Sequence, residues 1–451
     1  MATACGGGGV SAAPAAPAET TAYEYPKRPV APDGPLDDDI AQAVDAALGA
    51  ATFGTLDGEA VALIGTSGDA RLAWLLADLM RFQQEPADQS VLVEAFSALT
   101  GVDPAGDPRF AESRWRSVTD HLIAWDLPDP PDYRVRKARL FLAVEPRWAP
   151  FLADAKAEVD WRLVSWGGVL IDDRAEGDPA PCPLGCIPAL DDPGLTGAEQ
   201  GGWYPDDGVV FGLVVGDDAV ALPKNVMEVH EMVNLTVGGR RLGVPYCTLC
   251  GAAMAYFTDQ VADGPPLVLR TSGLLSRSNK MTYELRTRSL IDTFTGRALS
   301  GPLHDAGVEL EPVTVITSSW GAWRREHPST RMVAEDGGIG KGYPSDPLGG
   351  RDDDGPIFPI GPTDERLPVQ AQVVGVLAPD GTAVAFPADQ ARTALLRGER
   401  VALGGVELVS DGDGFRAQRA DGADRLVSSQ AFWFAWSQFH PGTAVWTPRR
   451  G

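Results

Sequence analysis

The chain has 451 residues, more than one ordinary hydrophobic core organises, so two or three domains of about 100 to 200 residues are expected. Its 38 Lys and Arg residues against 62 Asp and Glu residues give a formal net charge of -24, a field that repels nucleic-acid phosphates. This charge disfavours a nucleic-acid partner, and the lack of an apolar run of roughly 18 to 20 residues predicts no transmembrane segment.

Residues 1–34 predict a disordered tether. Cys5 follows small residues and precedes Gly6–Gly9, as the acylated cysteine of a bacterial lipoprotein does, but the basic and apolar parts of a signal peptide are absent. Two interpretations remain open, a lipid anchor on Cys5 and a plain unstructured tail. An anchor would make the protein extracytoplasmic and attach it to the cell surface, and a cytoplasmic location is the alternative.

Residues 35–158 predict a helical domain. In the segment 70–79 the apolar residues recur every three or four positions and share one helix face: Leu72, Leu75, Leu76 and Leu79. A second apolar helix follows at residues 91–99. Paired helices of this kind resemble a short HEAT-type array, which predicts a scaffold or a docking surface for a protein partner, without chemistry of its own.

Residues 159–450 predict a β-rich domain, because short apolar runs such as Gly208–Val215 alternate with Gly, Asp and Pro. The motif Trp-x-x-Trp-x-x-x-His-Pro-x-Thr begins at Trp320 and again at Trp433. A related Ala-Val-Ala motif precedes each copy, so we expect two related units that pack as one internally duplicated, pseudo-symmetric body. The fold class is therefore α+β.

Each repeated motif ends in a histidine, His327 in the first copy and His440 in the second. Both stand just before a proline and seven residues after a tryptophan, a position typical of a helix C-terminus. An imidazole there can bond a terminal carbonyl and complement the helix dipole. We therefore expect a structural role for both histidines.

Four cysteines form two close pairs in the first half of the β-rich domain. Cys182 and Cys186 predict a local disulfide in an exported protein, or half of a closed four-thiolate zinc site with the later pair. Cys247 and Cys250 form a Cys-x-x-Cys turn, which typically binds a transition metal or cycles between dithiol and disulfide. The structural alternative is a static disulfide or two small buried hydrophobic side chains. The second copy has no cysteine, so we place the site in the first.

Several motifs recur together and in order: Ile187–Asp191, His230-Glu231-x-Val233-Asn234, Tyr246–Gly251, Ser272–Leu275 through Asn279, Met281–Tyr283 and Phe432–Trp436. Over roughly residues 185–446 the chain resembles the uncharacterised prokaryotic family catalogued as domain of unknown function 3179. The resemblance implies that His230, Cys247 and Cys250 belong to a recurring set. This chain departs from the family at Thr248, commonly proline, and at Glu284, commonly aspartate.

Two thiols and one imidazole make a soft-ligand site. Cys247, Cys250 and His230 are the predicted metal ligands, with Met281, a water or a substrate in the fourth position. This donor set suits copper(I) or zinc, and a thioether would favour copper. Three polar residues are weaker candidates for catalysis or for lining the pocket, each with a structural alternative: Glu231, Ser272 and Asn279.

Three classes of function follow from these residues. The first is an exported metalloprotein that binds copper or zinc and uses it for redox chemistry or catalysis. The second is a thiol-disulfide oxidoreductase, although Cys247 follows a predicted strand and no thioredoxin-like βαβ pattern surrounds it. The third is a non-catalytic surface protein with structural thiols. The sequence favours the first and names no substrate, so whether the protein is an enzyme stays open.

Overall fold

A computed structural model describes residues 23–110, 112–182, 185–260, 264–350, 355–422 and 424–448. A helical N-terminal region precedes a β-rich region that contains several sheets, which confirms the α+β class. Cys5 lies outside the described residues, so its lipidation stays a prediction. In the described part of the chain, no helix combines the length and the apolar character that crossing a bilayer requires.

The helical domain contains seven α-helices in the part of it that the structure describes. They are α1 (Asp38–Ala51), α2 (Gly58–Thr66), α3 (Ala73–Phe82), α4 (Pro86–Thr100), α5 (Arg114–Trp125), α6 (Tyr133–Val144) and α7 (Ala149–Ala153). Helix α3 is buried over nearly its whole length and contacts α1, α4, α5 and α6. Helix α2 also packs against α1 and α4. These contacts do not establish the stacked pairs of a HEAT-type array.

The chain before α1 runs along the helical domain. Tyr25 donates a hydrogen bond to Asp120 at 2.7 Å, and the Tyr23 hydroxyl lies 2.9 Å from Nε2 of His121. The Trp125 indole donates to the carbonyl of Pro26. These contacts fix the described residues of the segment against α5.

The β-rich domain contains 22 short strands in the described residues. They are β1 (Val164–Trp166), β2 (Leu190–Asp191), β3 (Leu195–Gly197), β4 (Val209–Val215), β5 (Asp218–Pro223), β6 (Met232–Val237), β7 (Arg240–Cys247), β8 (Ala252–Ala253), β9 (Tyr256–Phe257), β10 (Leu269–Ser276), β11 (Asn279–Glu284), β12 (Leu290–Asp292), β13 (Ile316–Ser319), β14 (Arg331–Val333), β15 (Gln372–Leu377), β16 (Ala383–Pro387), β17 (Val401–Leu403), β18 (Val406–Asp411), β19 (Gly414–Arg419), β20 (Arg425–Leu426), β21 (Ser428–Phe432) and β22 (Ala444–Val445).

Five further helices lie between these strands. They are α8 (Lys224–His230), α9 (Gly301–Asp305), α10 (Trp320–Glu326), α11 (Ala388–Leu396) and α12 (Trp433–Phe439). The strands form five sheets, in the orders β13-β4-β5-β14-β3, β21-β15-β16-β22, β1-β10-β11-β12, β17-β18-β19-β20 and β2-β6-β7-β8, with β9 also paired to β7.

Two of these sheets have the same arrangement of strands. In the first, β4 and β5 form an antiparallel hairpin, β13 pairs with β4, and β14 joins β5 in parallel. In the second, β15, β16, β21 and β22 make the same pairings with the same directions. A helix follows the hairpin in each unit, α8 in the first and α11 in the second.

The repeated tryptophan makes the same contact in both units. A Cβ added to Gly212 on β4 would meet the Trp323 ring at 2.3 Å, and one added to Gly375 on β15 would meet the Trp436 ring at 2.1 Å. Each indole also donates to the threonine seven residues later. The spacing Trp-x6-Thr therefore reflects one contact that both units share. In it a tryptophan ring packs on a strand glycine and bonds to the threonine seven residues later.

His327 has a different partner from the one predicted. Its Nε2 lies 2.6 Å from the carboxylate of Asp411 on β18, and its ring packs 4.0 Å from the Trp323 ring. His440 stacks in the same way on Trp436, at 4.2 Å. The role is structural, as expected, but for His327 the partner is a carboxylate of the other unit rather than a carbonyl of its own helix.

The strands β6–β12 are inserted between α8 and β13 of the first unit. The corresponding insertion in the second unit, between α11 and β21, contains only the small sheet β17–β20. Strand β11 of the first insertion carries Asn279 and Lys280, which lie beside the Cys-x-x-Cys turn, and β7 ends at Cys247 itself. This insertion therefore positions the site.

Candidate functional site

The Cys-x-x-Cys turn closes a tight hairpin. Cys247 is the last residue of β7, and Thr248–Cys250 form one turn of 3₁₀ helix before β8 pairs back onto β7. Gly251 ends this turn with φ +56°, and a Cβ there would meet the side chains of Gln372 and Phe432 of the second unit at 2.8 and 2.9 Å. Glycine is needed both for the left-handed backbone and for this close approach.

The hairpin brings the two thiols into contact. The Sγ atoms of Cys247 and Cys250 are 3.0 Å apart, and both residues are buried, with 2% and 0% of their surface exposed. Two oxygens lie 3.4 Å from the Cys250 sulfur, the carbonyl of Ser278 and Oδ1 of Asn279. Asn279, one of the weaker sequence candidates, thus lies beside the thiols.

His230 does not join the thiols. It is the last residue of α8, and its Nδ1 lies 2.7 Å from the carbonyl of Pro188 while Nε2 lies 2.8 Å from the hydroxyl of Tyr343. Because a carbonyl only accepts, Nδ1 carries the proton and Nε2 accepts from Tyr343. Burial lowers the pKa of His230 to about 4, so the ring is neutral. The predicted three-ligand site of His230 with both cysteines is not assembled.

Glu231 takes the position expected of His230. It follows α8 with φ +50°, and this left-handed residue turns the chain so that its carboxylate reaches the Cys-x-x-Cys turn. Thr248 donates to Oε1 at 3.2 Å, and Nζ of Lys280 lies 3.2 Å from Oε2 and 2.5 Å from the Glu231 carbonyl. Thr248, where the family commonly has proline, therefore supplies a hydroxyl donor that proline lacks.

The two thiols have opposite electrostatic environments. Burial opposes ionisation of Cys247, but hydrogen bonds from the Cys250 thiol and the Lys280 backbone, with the Lys280 charge, lower its pKa overall. For Cys250, burial and the neighbouring Cys247 raise the pKa well above the ordinary value. Burial also lowers the pKa of Lys280, against the charges of Glu231 and Cys247. Of the two, Cys247 is therefore the thiol that ionises first.

Met281 and Ser272 have structural roles. The Met281 side chain packs in the hydrophobic cluster shared with the helical domain, whereas both cysteines belong to a different cluster. The Ser272 hydroxyl donates to the Met281 carbonyl at 2.6 Å and accepts from the backbone of Leu274, at the irregularity between β10 and β11. The roles of Met281 as fourth ligand and of Ser272 as a pocket residue therefore stay predictions that these contacts do not support.

A small cavity of about 80 Å³ lies beside the thiol turn. Its polar lining includes Glu231, Thr248 and Lys280, and apolar residues such as Ile357 and Phe358 form other parts of its wall. This volume holds two or three water-sized molecules. Glu231, Thr248 and Lys280 therefore face a cavity that has room only for small molecules.

The earlier cysteine pair forms its own disulfide, Cys182–Cys186, as the simpler of the two predictions had it. Across the described ranges, one group of His, Cys, Asp or Glu side chains has three ligand atoms within 4.8 Å of one another: Asp172, Cys182 and Cys186. Its sulfurs are bonded to each other, and Asp172 is paired with Arg174 at 2.7 Å. The four-thiolate zinc site is not formed.

Residues 184–414, more than half of the chain, match the family described as "Protein of unknown function (DUF3179)". The chain belongs to this family. The resemblance of the motifs from Ile187 onward is thereby confirmed, and the match to the family stops before the terminal Phe432–Trp436 motif. No curated protein and no solved structure shows a significant match to the chain.

Lys280 is the site residue that the sequence analysis missed. It lies between Asn279 and Met281 in β11 and is buried, with 6% of its side chain exposed. The available signal was a lysine next to the motif residues Asn279 and Met281, since a Lys that is buried there needs a partner of opposite charge. Its partner, Glu231, is 49 positions earlier in the chain and could not be identified from spacing.

Proposed function

We propose that Cys247 and Cys250 form a redox-active dithiol that cycles to a disulfide in reaction with a small disulfide or a comparable thiol oxidant. The observation that carries this proposal is the 3.0 Å contact between two sulfurs with opposite pKa shifts. A lowered thiolate pKa supplies the nucleophile, and the neighbouring thiol supplies the resolving group. Cys247 ends β7 and directly precedes the three-residue 3₁₀ turn Thr248–Cys250, so hydrogen bonds and the Lys280 charge, not a helix N-terminus, lower its pKa.

The reaction conserves atoms and electrons. The Cys247 thiolate attacks one sulfur of the small disulfide RSSR, which forms a mixed disulfide and releases one RS⁻. Cys250 then loses its proton and displaces the second RS⁻ from Cys247. The protein loses two electrons and two protons, the Cys247–Cys250 disulfide forms, and two RSH molecules leave. In the reverse reaction two RSH molecules reduce the Cys247–Cys250 disulfide to the dithiol and are themselves oxidised to RSSR.

A soft metal ion is the second candidate, and the observation that favours it is the approach of Asn279 Oδ1 and the Ser278 carbonyl to the Cys250 sulfur. Cys247, Cys250 and Asn279 would hold copper(I) or zinc, for which two thiolates are suitable ligands. His230 is excluded from this set by its own two hydrogen bonds. The bound ion would supply redox or Lewis-acid chemistry, and the nearby Lys280 would offset the negative charge of two thiolates.

The first experiment counts thiols in the full chain. Protein reduced with a phosphine is treated with oxidised glutathione, alkylated and digested, and the peptides that contain each cysteine pair are weighed separately. We expect Cys247 and Cys250 to lose two hydrogens together, and the Cys247→Ser variant to stop at a mixed disulfide on Cys250 or not react. A Cys182→Ser, Cys186→Ser double variant is the control, because it leaves the proposed pair intact.

Elemental analysis separates the two candidates. Protein purified without chelator carries no stoichiometric copper or zinc if the pair is a redox dithiol. A metal that is present in the wild type and lost in the Cys247→Ser variant would support the second candidate instead. A pair that neither oxidises nor holds metal would leave the thiols structural, as in a non-catalytic surface protein.

Three wider proposals accompany this function. The Cys182–Cys186 disulfide is compatible with an oxidising compartment, which supports an extracytoplasmic location. The identical strand pairing and tryptophan packing of the two sheets support an origin by internal duplication. A protein partner on the helical domain stays a prediction, as do its HEAT-like character and a lipid anchor on Cys5.

A further inference from the structure

Part of the segment 355–361 lines the small cavity that lies beside the Cys-x-x-Cys turn. Ile357 and Phe358 line the cavity that also contacts Thr248 and Lys280. Ile360 belongs to the hydrophobic cluster that contains both cysteines. The segment has no helix or strand of its own, whereas most other cavity residues lie in or next to hydrogen-bonded strands.

Helix α5 of the helical domain holds this segment in place. Arg116 donates to the carbonyl of Pro356 at 2.6 Å, and the backbone N–H of Gly361 donates to Asp120 at 2.8 Å. Between these two bonds, the Phe358 ring meets the Trp115 ring edge-on, with centroids 5.9 Å apart. Successive turns of one helix therefore contact Pro356, Phe358 and Gly361 of the segment.

Gly361 fixes how closely the segment approaches α5. It has φ +71°, and a Cβ added to it would lie 2.4 Å from Cγ2 of Ile123. Any side chain at this position would both strain the backbone and push the segment away from the helix. The glycine is therefore part of the attachment.

Both thiols are shielded from solvent. Cys247 and Cys250 are 2% and 0% exposed, so reaction with any molecule larger than water requires local opening. Regions that open at low free energy are those with few buried contacts and few backbone hydrogen bonds in a sheet or helix. The segment 355–361 lies outside every helix and strand, and among the described residues no backbone–backbone hydrogen bond holds it.

We propose that the segment 355–361 is a gate over the thiol pair and that helix α5 controls its opening. This inference rests on the proposed function, because control of access matters to the protein only if the thiols react. Whether the segment limits access to the thiols can be measured without redox cycling. It assigns to the helical domain the control of access to a site that lies wholly in the β-rich domain.

The test measures alkylation of Cys247 and Cys250 by iodoacetamide in the reduced full chain, peptide by peptide. Arg116→Ala removes the bond to Pro356, and we expect it to raise the alkylation rate about tenfold, the factor that a hydrogen bond from a charged donor contributes to an opening equilibrium. Gly361→Ala should raise it through the clash with Ile123. Arg114→Ala is the matched control, since Arg114 on the same helix contacts only the Ala105 carbonyl among its described hydrogen bonds.

The proposal is overturned if Arg116→Ala and Gly361→Ala both react at the wild-type rate, or if Arg114→Ala accelerates the reaction equally. Circular dichroism and urea unfolding establish that each variant is folded, and Phe358→Ala replaces any variant that is not. Iodoacetamide alkylates a thiol whether or not the pair can form a disulfide. A failure of the redox proposal in the glutathione experiment therefore leaves this result interpretable.

Discussion

At the residue scale, the end of helix α8 decides which side chain reaches the thiols. His230 and Glu231 are neighbours in sequence, and helical geometry alone separates their side chains by about 100°. The left-handed conformation of Glu231 then turns its carboxylate toward Thr248 and Lys280 and leaves His230 on Pro188 and Tyr343. The contact between Cys247 and Cys250 was predictable because it is local. Which of His230 and Glu231 faces the thiol turn was not, because it depends on the backbone conformation of Glu231.

The charges around Cys247 give a prediction with an internal control. Lys280 lowers the pKa of the Cys247 thiol and Glu231 raises it. Lys280→Met should therefore slow alkylation of Cys247 at neutral pH several-fold, and Glu231→Gln should accelerate it. The measurement is the pH profile of alkylation, followed by mass spectrometry of the peptide.

If the substitutions only loosened the packing of the site, the pH profiles of Cys247 alkylation in both variants would shift in the same direction. Shifts of the two pH profiles in opposite directions would support the electrostatic assignment. Two shifts of the same sign would show that the changes act through packing alone.

His230 gives a second prediction, on stability. Its pKa in the folded protein is about 4, below the value of about 6.5 in an unfolded chain. The unfolded state binds the proton first, so the contribution is fully present above about pH 6.5 and is lost as the pH falls toward 4. Between pH 7 and pH 5 the wild type should lose about 2 kcal/mol more unfolding free energy than His230→Gln, measured by urea denaturation. Equal losses in the two proteins would contradict the buried neutral imidazole.

At the scale of elements, the repeated motif predicted two similar units, and its spacing reflects one contact. Trp323 and Trp436 each cover a glycine on the first strand of a hairpin. The parallel pairing of β14 with β5 and of β22 with β16 was not predictable, because it joins residues about 60 to 110 positions apart with no local signal. The same holds for the pairing of His327 with Asp411.

The glycine contacts predict equal losses of stability in both units. Gly212→Ala and Gly375→Ala each force a methyl group into a buried indole ring, so each should lower the unfolding free energy by about 1 to 3 kcal/mol. Gly197→Ala on β3 is the control, since a Cβ there meets nothing within 4 Å. Urea denaturation of the three variants tests this. A wild-type midpoint for either buried variant would show that the ring moves aside at no cost.

At the scale of the whole molecule, the helical domain is joined to the site more closely than the sequence indicated. One hydrophobic cluster runs from α1 through α6 to Met281 and Tyr283 of β11, and the Trp148 indole donates to the Ser272 carbonyl at 2.7 Å. The division into a helical and a β-rich region was predictable from the change of periodicity. The contacts across it were not, because composition and periodicity carry no information about which surfaces face each other.

The central claim is that Cys247 and Cys250 are a redox pair, and an equilibrium titration tests it most directly. The full chain is equilibrated in glutathione buffers of increasing oxidised fraction, the free thiols are trapped by rapid alkylation, and the peptide that spans residues 246–251 is weighed. We predict one two-electron transition in which both cysteines oxidise together, at a ratio distinct from that of Cys182–Cys186. A peptide that keeps both thiols across the whole range would contradict the claim.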